Sequence, residues 1–223
     1  MDLPREIGQR VGVLGGTFDP VHNGHLAVAE AACRGLDLDG LLLIPAAVPP
    51  HKRELPITPF AHRLTMLRLA VADRAGLYVS SVEADRGGPS FSVDTLVALR
   101  GVLGRDVSLF FLVGIDAFGE ISTWKEYLRL PLLAELVVVD RPAMGSPRLD
   151  EAVRRQFPDY LFDSARAAWL ESRGSGVIRP LTMAPLAVSS TQVRQLVAAG
   201  KPVSSLVPAP VVDYIRGHHL YGA

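Results

Sequence analysis

Two histidines stand three residues apart, His22 and His25, in the stretch GGTFDPVHNGHLAVAEAA that runs from Gly15 to Ala32. A short apolar run, VGVL at 11–14, leads into it and breaks at Gly15-Gly16. An Asp-Pro turn follows at Asp19-Pro20, and alanine-rich sequence comes after the histidines. This is the pattern of a strand giving way to a helix that begins at about residues 22–24. Residues three apart at a helix start share one face. The first backbone N–H groups there lack intrahelical partners, and the positive end of the helix dipole adds roughly half a unit charge. Glycines just before let a ligand come close to the backbone. Imidazoles, free N–H groups and a positive dipole end together suit a polyphosphate. A metal pair is the competing reading. A zinc site needs about four ligands of suitable type, and the chain has six histidines and one cysteine, with only the Gly217-His218-His219 stretch offering a further imidazole pair. No metal site is assigned.

A second helix start with similar chemistry lies far downstream, in VSSTQVRQLV at 188–197. Ser189 and Gln192 have the spacing of a capping box. Ser190, Thr191 and Arg194 add two hydroxyls and a cation to another positive helix end. The common alternatives for phosphate binding are missing: the chain has neither GxxxxGK[ST] nor a GxGxxG after its first strand, so it is neither a P-loop enzyme nor a typical dinucleotide-binding dehydrogenase.

The elements that must hold these groups follow from hydrophobic patterning. Apolar runs recur at 11–14, 41–45, 77–82, 107–113, 136–140 and 176–181. Continuous rather than alternating runs predict strands covered on both faces. Between them, 24–35, 60–74 and 92–103 have helical spacing. Strand alternating with helix predicts an α/β, doubly wound (Rossmann-like) parallel sheet with helices on both faces and a small C-terminal helical part. In such a sheet ligands bind at the carboxyl ends of the strands, near the switch in strand order. Both histidines fall at that edge. Residues 45–58 are proline-rich and predict a loop. Residues 143–175 fit the scheme least and are expected to be a helical insertion in one domain spanning 1–223.

Bulk properties exclude several classes. A chain of 223 residues can bury a sizeable core. Its 23 basic and 23 acidic side chains cancel, with no long single-sign block, which disfavours a general nucleic-acid binder. One cysteine, Cys33, excludes an intrachain disulfide, and the charged start MDLPREIGQR has no apolar signal region. No run reaches the roughly 18 apolar residues that would cross a membrane. These features fit a cytoplasmic protein with no membrane partner, and a homo-oligomer is compatible with all of them.

The segment GGTFDPVHNGH resembles the signature of HxGH nucleotidyltransferases, and SSTQVR resembles the element with which that superfamily holds ATP phosphates. Further stretches are similar to bacterial nicotinate-mononucleotide adenylyltransferases: PPHK at 49–52, GGPSFSVDTL at 87–96, FLVGIDAFGEISTWKEY at 111–127, VDRP at 139–142 and the tail VPAPVVDYIRGHHLYG. Phe91 and Ser92 stand where that family often has tyrosine and threonine. The resemblance spans nearly the whole chain except 143–175. It implies transfer of AMP from ATP to nicotinate mononucleotide, with Mg2+ accompanying ATP. The residues it implies for chemistry are His22, His25, Lys52 and Arg194. For ATP it adds Gly15, Gly16, Thr17, Phe18, Gly114, Asp116, Ser189, Ser190 and Thr191. For the mononucleotide it implies Asp19, Lys52, Thr95, Trp124, Lys125 and Arg141, with Trp124 stacking on the pyridine ring. Two alternatives stay open: a different phosphate acceptor (nicotinamide mononucleotide or phosphopantetheine), and a nucleotide-binding regulator without turnover.

Overall fold

The computed structural model describes residues 7–49, 57–140, 146–184 and 187–223. Its centre is a sheet whose first strands are β1 (Arg10–Gly16), β2 (Gly40–Pro45) and β3 (Leu77–Val79). They are joined by α1 (Asn23–Gly35) and α2 (Phe60–Val71). The chain then returns through α3 (Val82–Arg86) and α4 (Ser92–Leu103) to β4 (Ser108–Gly114), on the other side of β1. Short helices α5 (Ile115–Gly119) and α6 (Leu130–Leu133) lead to β5 (Glu135–Asp140). α7 (Ser146–Gln156) precedes β6 (Tyr160–Asp163), β7 (Ala168–Glu171) and β8 (Val177–Thr182), and α8 (Ser190–Ala198) and α9 (Ala209–Gly217) close the chain.

The strand order is β3-β2-β1-β4-β5-β8-β7-β6. Pairing is parallel from β3 through β8 and antiparallel for β8-β7 and β7-β6. Order reverses between β1 and β4, so the switch point lies at their carboxyl ends. The continuous apolar runs are two-sided, as their composition predicts. Leu42, Ile44, Phe111, Val113, Leu136 and Val138 join one core with α4 and α7. Their neighbours Leu41, Leu43, Phe110, Leu112, Val137 and Val139 join the opposite core with α1, α2, α8 and α9.

Two expectations are corrected. The strand expected over 77–82 stops at Val79. The Ser80 N–H makes the last bond to β2, donating to the Leu43 carbonyl at 3.1 Å, while its hydroxyl accepts from the Val82 N–H at 3.3 Å, and α3 begins. The insertion expected to be helical over 143–175 is helix α7 followed by a β-hairpin that extends the sheet. The hairpin turn is made by Asp163, whose carboxylate accepts from the backbone N–H groups of Ala165 at 2.9 Å and Arg166 at 3.2 Å. An aspartate that bonds the backbone two residues on makes a turn rather than a helix. Tyr160, Ala168 and Trp169 are buried and anchor the hairpin to the core.

Candidate active site

β1 ends at the sheet's carboxyl edge, beside β4, with Leu14 opposite Leu112 in register. Two residues further along each strand stand Gly16 and Gly114. A side-chain carbon built on Gly15 or on Gly114 would meet nothing within 4 Å, so the space above both strand ends is open. Phe18 follows in the left-handed region, φ 49°, a conformation that a bulky residue adopts only where its surroundings impose it. Its ring is buried and meets the edge of His25 with centroids 4.9 Å apart.

His22 is the N-cap of α1 and is buried. His25, one turn on, stacks against it with ring centroids 3.7 Å apart and planes at 24°. The His22 backbone N–H donates to His25 Nδ1 at 3.3 Å, part of a capping box that histidines make here in place of the usual serine and glutamate. In a neutral imidazole an accepting Nδ1 puts the hydrogen on Nε2. Gly24 lies between the two rings in sequence. A side-chain carbon there would sit 2.9 Å from Val188 Cγ1 and 3.0 Å from His22 Nδ1. The glycine therefore lets the segment before α8 close against the start of α1.

That closure brings the two helix starts together. Ser189 caps α8, its hydroxyl accepting from the Gln192 N–H at 3.2 Å. Ser190 donates its hydroxyl hydrogen to the Pro20 carbonyl at 2.8 Å. Arg194 donates one Nη1–H to the Asp19 carbonyl at 2.7 Å and one Nη2–H to Thr191 Oγ1 at 3.3 Å. Asn23, the first residue of α1, is tied to the segment after α8: its backbone N–H donates to the Leu206 carbonyl at 2.8 Å and its side chain to the Ser205 carbonyl at 3.0 Å.

Asp19, expected at the mononucleotide, is buried, and each of its carboxylate oxygens accepts from the protein. Its Oδ1 accepts from the Tyr221 hydroxyl at 2.7 Å and its Oδ2 from the Thr58 N–H at 3.2 Å. Arg63, buried in α2, donates to the carbonyls of Thr17 and Thr58, each at 2.8 Å. Burial pulls the Arg63 guanidinium below the ordinary arginine value, and the nearby Asp19 carboxylate opposes that pull. Neither Arg63 nor Thr58 belongs to a motif, and Tyr221 lies in the tail stretch whose resemblance assigned it no role. The one local signal was Arg63 itself, a charge at 63 in a helix whose buried residues include 66, 67 and 70.

Past Gly114 the chain carries further residues expected at the mononucleotide. Trp124 follows the 3-10 turn Ile121–Thr123 and is half-buried, its ring 6.5 Å from that of Phe111. Lys125 Nζ donates to both oxygens of Asp94 at 3.0 Å and sits 5.2 Å from the centre of the Phe91 ring. It thus pins the Trp124 loop to the first turn of α4. Thr95 is buried and its donors are spent. Its hydroxyl donates to Glu83 Oε1 at 2.7 Å and accepts from Arg86 at 3.3 Å, and its N–H donates to the Phe91 carbonyl at 3.1 Å. The donors α4 can offer lie one turn earlier, at Ser92–Asp94. Asp116 is exposed at the start of α5, next to Gly114. Lys52 and Arg141 lie outside the described residues. Before Lys52 the described chain is fixed at Val48, whose N–H donates to Ser90 Oγ at 3.1 Å and whose carbonyl accepts from the Ser90 N–H at 3.0 Å. Among the described residues no three His, Cys, Asp or Glu side chains gather to hold a metal ion, and no helix is long and apolar enough to cross a membrane.

Two helix starts meeting at the switch point of a parallel sheet define a nucleotide-binding α/β protein of the nucleotidyltransferase kind. The chain belongs to the cytidylyltransferase-like family, whose profile matches residues 13–196. It is 42% identical over 213 residues to a probable nicotinate-nucleotide adenylyltransferase of Geobacter sp. (strain M21), covering 95% of this chain and 98% of that one. It is 43% identical over 217 residues to the protein of the same name in Chromobacterium violaceum, with the same coverage of 95% and 98%. The fold is similar to that of Plasmodium falciparum nicotinic acid mononucleotide adenylyltransferase complexed with NaAD, with a TM-score of 0.73 at 17% identity over 96% of this chain and 98% of that chain.

Proposed function

We propose that this protein transfers AMP from ATP to nicotinate mononucleotide, forming nicotinate adenine dinucleotide and pyrophosphate. A phosphate oxygen of the mononucleotide attacks the α-phosphorus of ATP. The bond from that phosphorus to the oxygen bridging to the β-phosphate breaks, and its electron pair leaves with pyrophosphate. A phosphate monoester has its second ionisation near pH 6, so the nucleophile is already anionic at neutral pH and no side chain need take a proton.

The difficulty is bringing one anion to another. Holding both in line supplies about 7–11 kcal/mol of such a barrier, and each fixed donor to the developing charge roughly a further 3–4 kcal/mol. The observation that carries the reading is the convergence of the α1 and α8 starts on the end of β1. His22 and His25 donate to the reacting phosphates in the transition state. Arg194, Thr191 and the backbone N–H groups that open α8 hold the β- and γ-phosphates, with Ser189 and Ser190 fixing that turn. Lys52 supplies a further cation to the phosphates. Gly15, Gly16, Gly114 and Asp116 border the adenosine, and Thr17 and Phe18 carry the link that aims His25. Mg2+ arrives on the triphosphate as part of the substrate.

Trp124 stacks on the pyridine ring. The N–H groups opening α4 meet its carboxylate, Lys125 holds that turn in place, and Arg141 adds a cation on the acceptor side. An amide facing those N–H groups would leave donors unpaired on both sides, at about 1–3 kcal/mol per group. That is the basis for choosing the acid over the amide. The test is pyrophosphate release with nicotinate mononucleotide, nicotinamide mononucleotide and phosphopantetheine as acceptors. The acid mononucleotide should be preferred. Preference for phosphopantetheine would overturn the acceptor, and ATP binding without pyrophosphate from any of the three would favour a regulator.

A further inference from the structure

The chain's last residues hold a group that the chemistry above does not use. We infer that Tyr221 is a positioning residue for the phosphate site, acting through Asp19 on the aim of Arg194. The inference rests on the reading of that site given above.

The geometry is specific. Tyr221 donates its hydroxyl hydrogen to Asp19 Oδ1 at 2.7 Å, across a sequence separation of 202 residues. To reach it, the tail takes a strained path. His219 and Tyr221 both lie in the left-handed region, with φ of 50° and 59°. Two such conformations at non-glycine residues within three positions persist only where surrounding contacts impose them. Leu220 and Tyr221 pack on the core that α8 shares, so the tail is seated rather than loose. Burial holds the Tyr221 phenol far above the ordinary tyrosine range, and the Asp19 carboxylate that accepts from it adds to that shift. The hydroxyl is therefore a donor throughout the working pH range.

Asp19 is where three segments meet. Its two carboxylate oxygens hold the tail and Thr58, six residues after Lys52 in sequence. Its carbonyl accepts from Arg194. The neighbouring Pro20 carbonyl accepts from Ser190. Rotation of the Asp19 peptide would shift both α8 contacts together. Tyr221 blocks that rotation by fixing one side-chain oxygen. A residue so placed alters the grip on the triphosphate, on the ATP side alone.

The test is Tyr221→Phe, which removes one oxygen and keeps the ring. A non-hydrolysable ATP analogue should bind about tenfold more weakly, and kcat/KM for ATP should fall by a similar factor. The KM for the mononucleotide should stay within about twofold. In an Arg194→Ala background the same change should have little further effect, because the group it aims is gone. Asp19→Asn, which keeps an oxygen for Tyr221 but alters the pairing with Thr58, should move the same ATP-side parameters. Analogue binding unchanged in Tyr221→Phe, an undiminished loss in the Arg194→Ala background, or a shift confined to the mononucleotide KM would each overturn the inference. Analogue binding is read without any acceptor, so failure of the acceptor assignment would appear separately, as wild-type protein that binds ATP but makes no dinucleotide.

Discussion

Gly24→Ala separates the geometry of the histidines from the stability of the fold. The added carbon would lie 2.9 Å from Val188 Cγ1, 3.0 Å from His22 Nδ1 and 3.1 Å from His22 Cε1. Ordinary contact between such atoms is about 3.5–4.0 Å, so the His22 ring must retreat by roughly 0.5–1 Å. Two stability terms oppose each other. Alanine is up to about 1 kcal/mol better than glycine in a helix, less in the first turn, and overpacking costs about 1–3 kcal/mol. The net is a loss of at most about 3 kcal/mol, which in a chain of this size lowers Tm by no more than roughly 6–12 °C. Turnover should suffer far more. A misplacement approaching 1 Å costs on the order of a hundredfold, and His25, stacked on His22 at 3.7 Å, moves with it. Pyrophosphate release should therefore show kcat down about 10- to 100-fold in a protein that still folds and melts cooperatively at the assay temperature. Val188→Ala added to the variant removes the Cγ1 contact but not the ring contacts. It should recover Tm and leave kcat low. A Gly24→Ala enzyme with kcat within about threefold of wild type, or recovery of kcat by Val188→Ala, would refute the argument that the His22 ring position sets the rate.

Two further outcomes are expected. Trp124→Ala should raise the KM for nicotinate mononucleotide roughly tenfold with kcat changed less than about threefold, since a stacked aromatic contributes about 1–1.5 kcal/mol; an unchanged KM in steady-state assays would remove Trp124 from the site. Burial holds both Tyr160 and Tyr221 protonated well above the usual tyrosine range. Above about pH 10 the unfolded chain releases these protons while the folded protein keeps them, so stability falls by about 1.4 kcal/mol per pH unit for each phenol. Urea unfolding between about pH 9 and 11.5 should show that decline, shallower by one proton in Tyr221→Phe; identical slopes would count against the buried state of this hydroxyl.

The parts of the site legible in the sequence are those whose chemistry is local. His22, Gly24 and His25 lie on one helical turn, and Ser189 and Gln192 on another. Backbone donors at a helix start come from consecutive residues, so a phosphate site built on them must appear as a contiguous motif. The two-sided strands were legible for a related reason: β2, β4 and β5 send adjacent residues into opposite cores, which forces unbroken apolar runs. The hairpin after α7 was not, because its turn depends on one aspartate, Asp163, and its strands are four residues each.

Asp19 shows the other limit. In the sequence it belongs to the same motif as His22, and the family resemblance implies it as a mononucleotide ligand. In the fold its carboxylate is spent on Thr58 and Tyr221, while its carbonyl takes Arg194. None of these partners is near it along the chain, and the sheet's topology alone brings them together. A helix-start donor has to be contiguous with its neighbours, whereas a donor to a buried carboxylate can come from any segment that the fold delivers. For that reason the groups that would touch phosphate are written as motifs, while Arg63 in α2, which holds the Thr17 and Thr58 carbonyls from behind, stands as an isolated residue that only its burial distinguishes from ordinary surface chemistry.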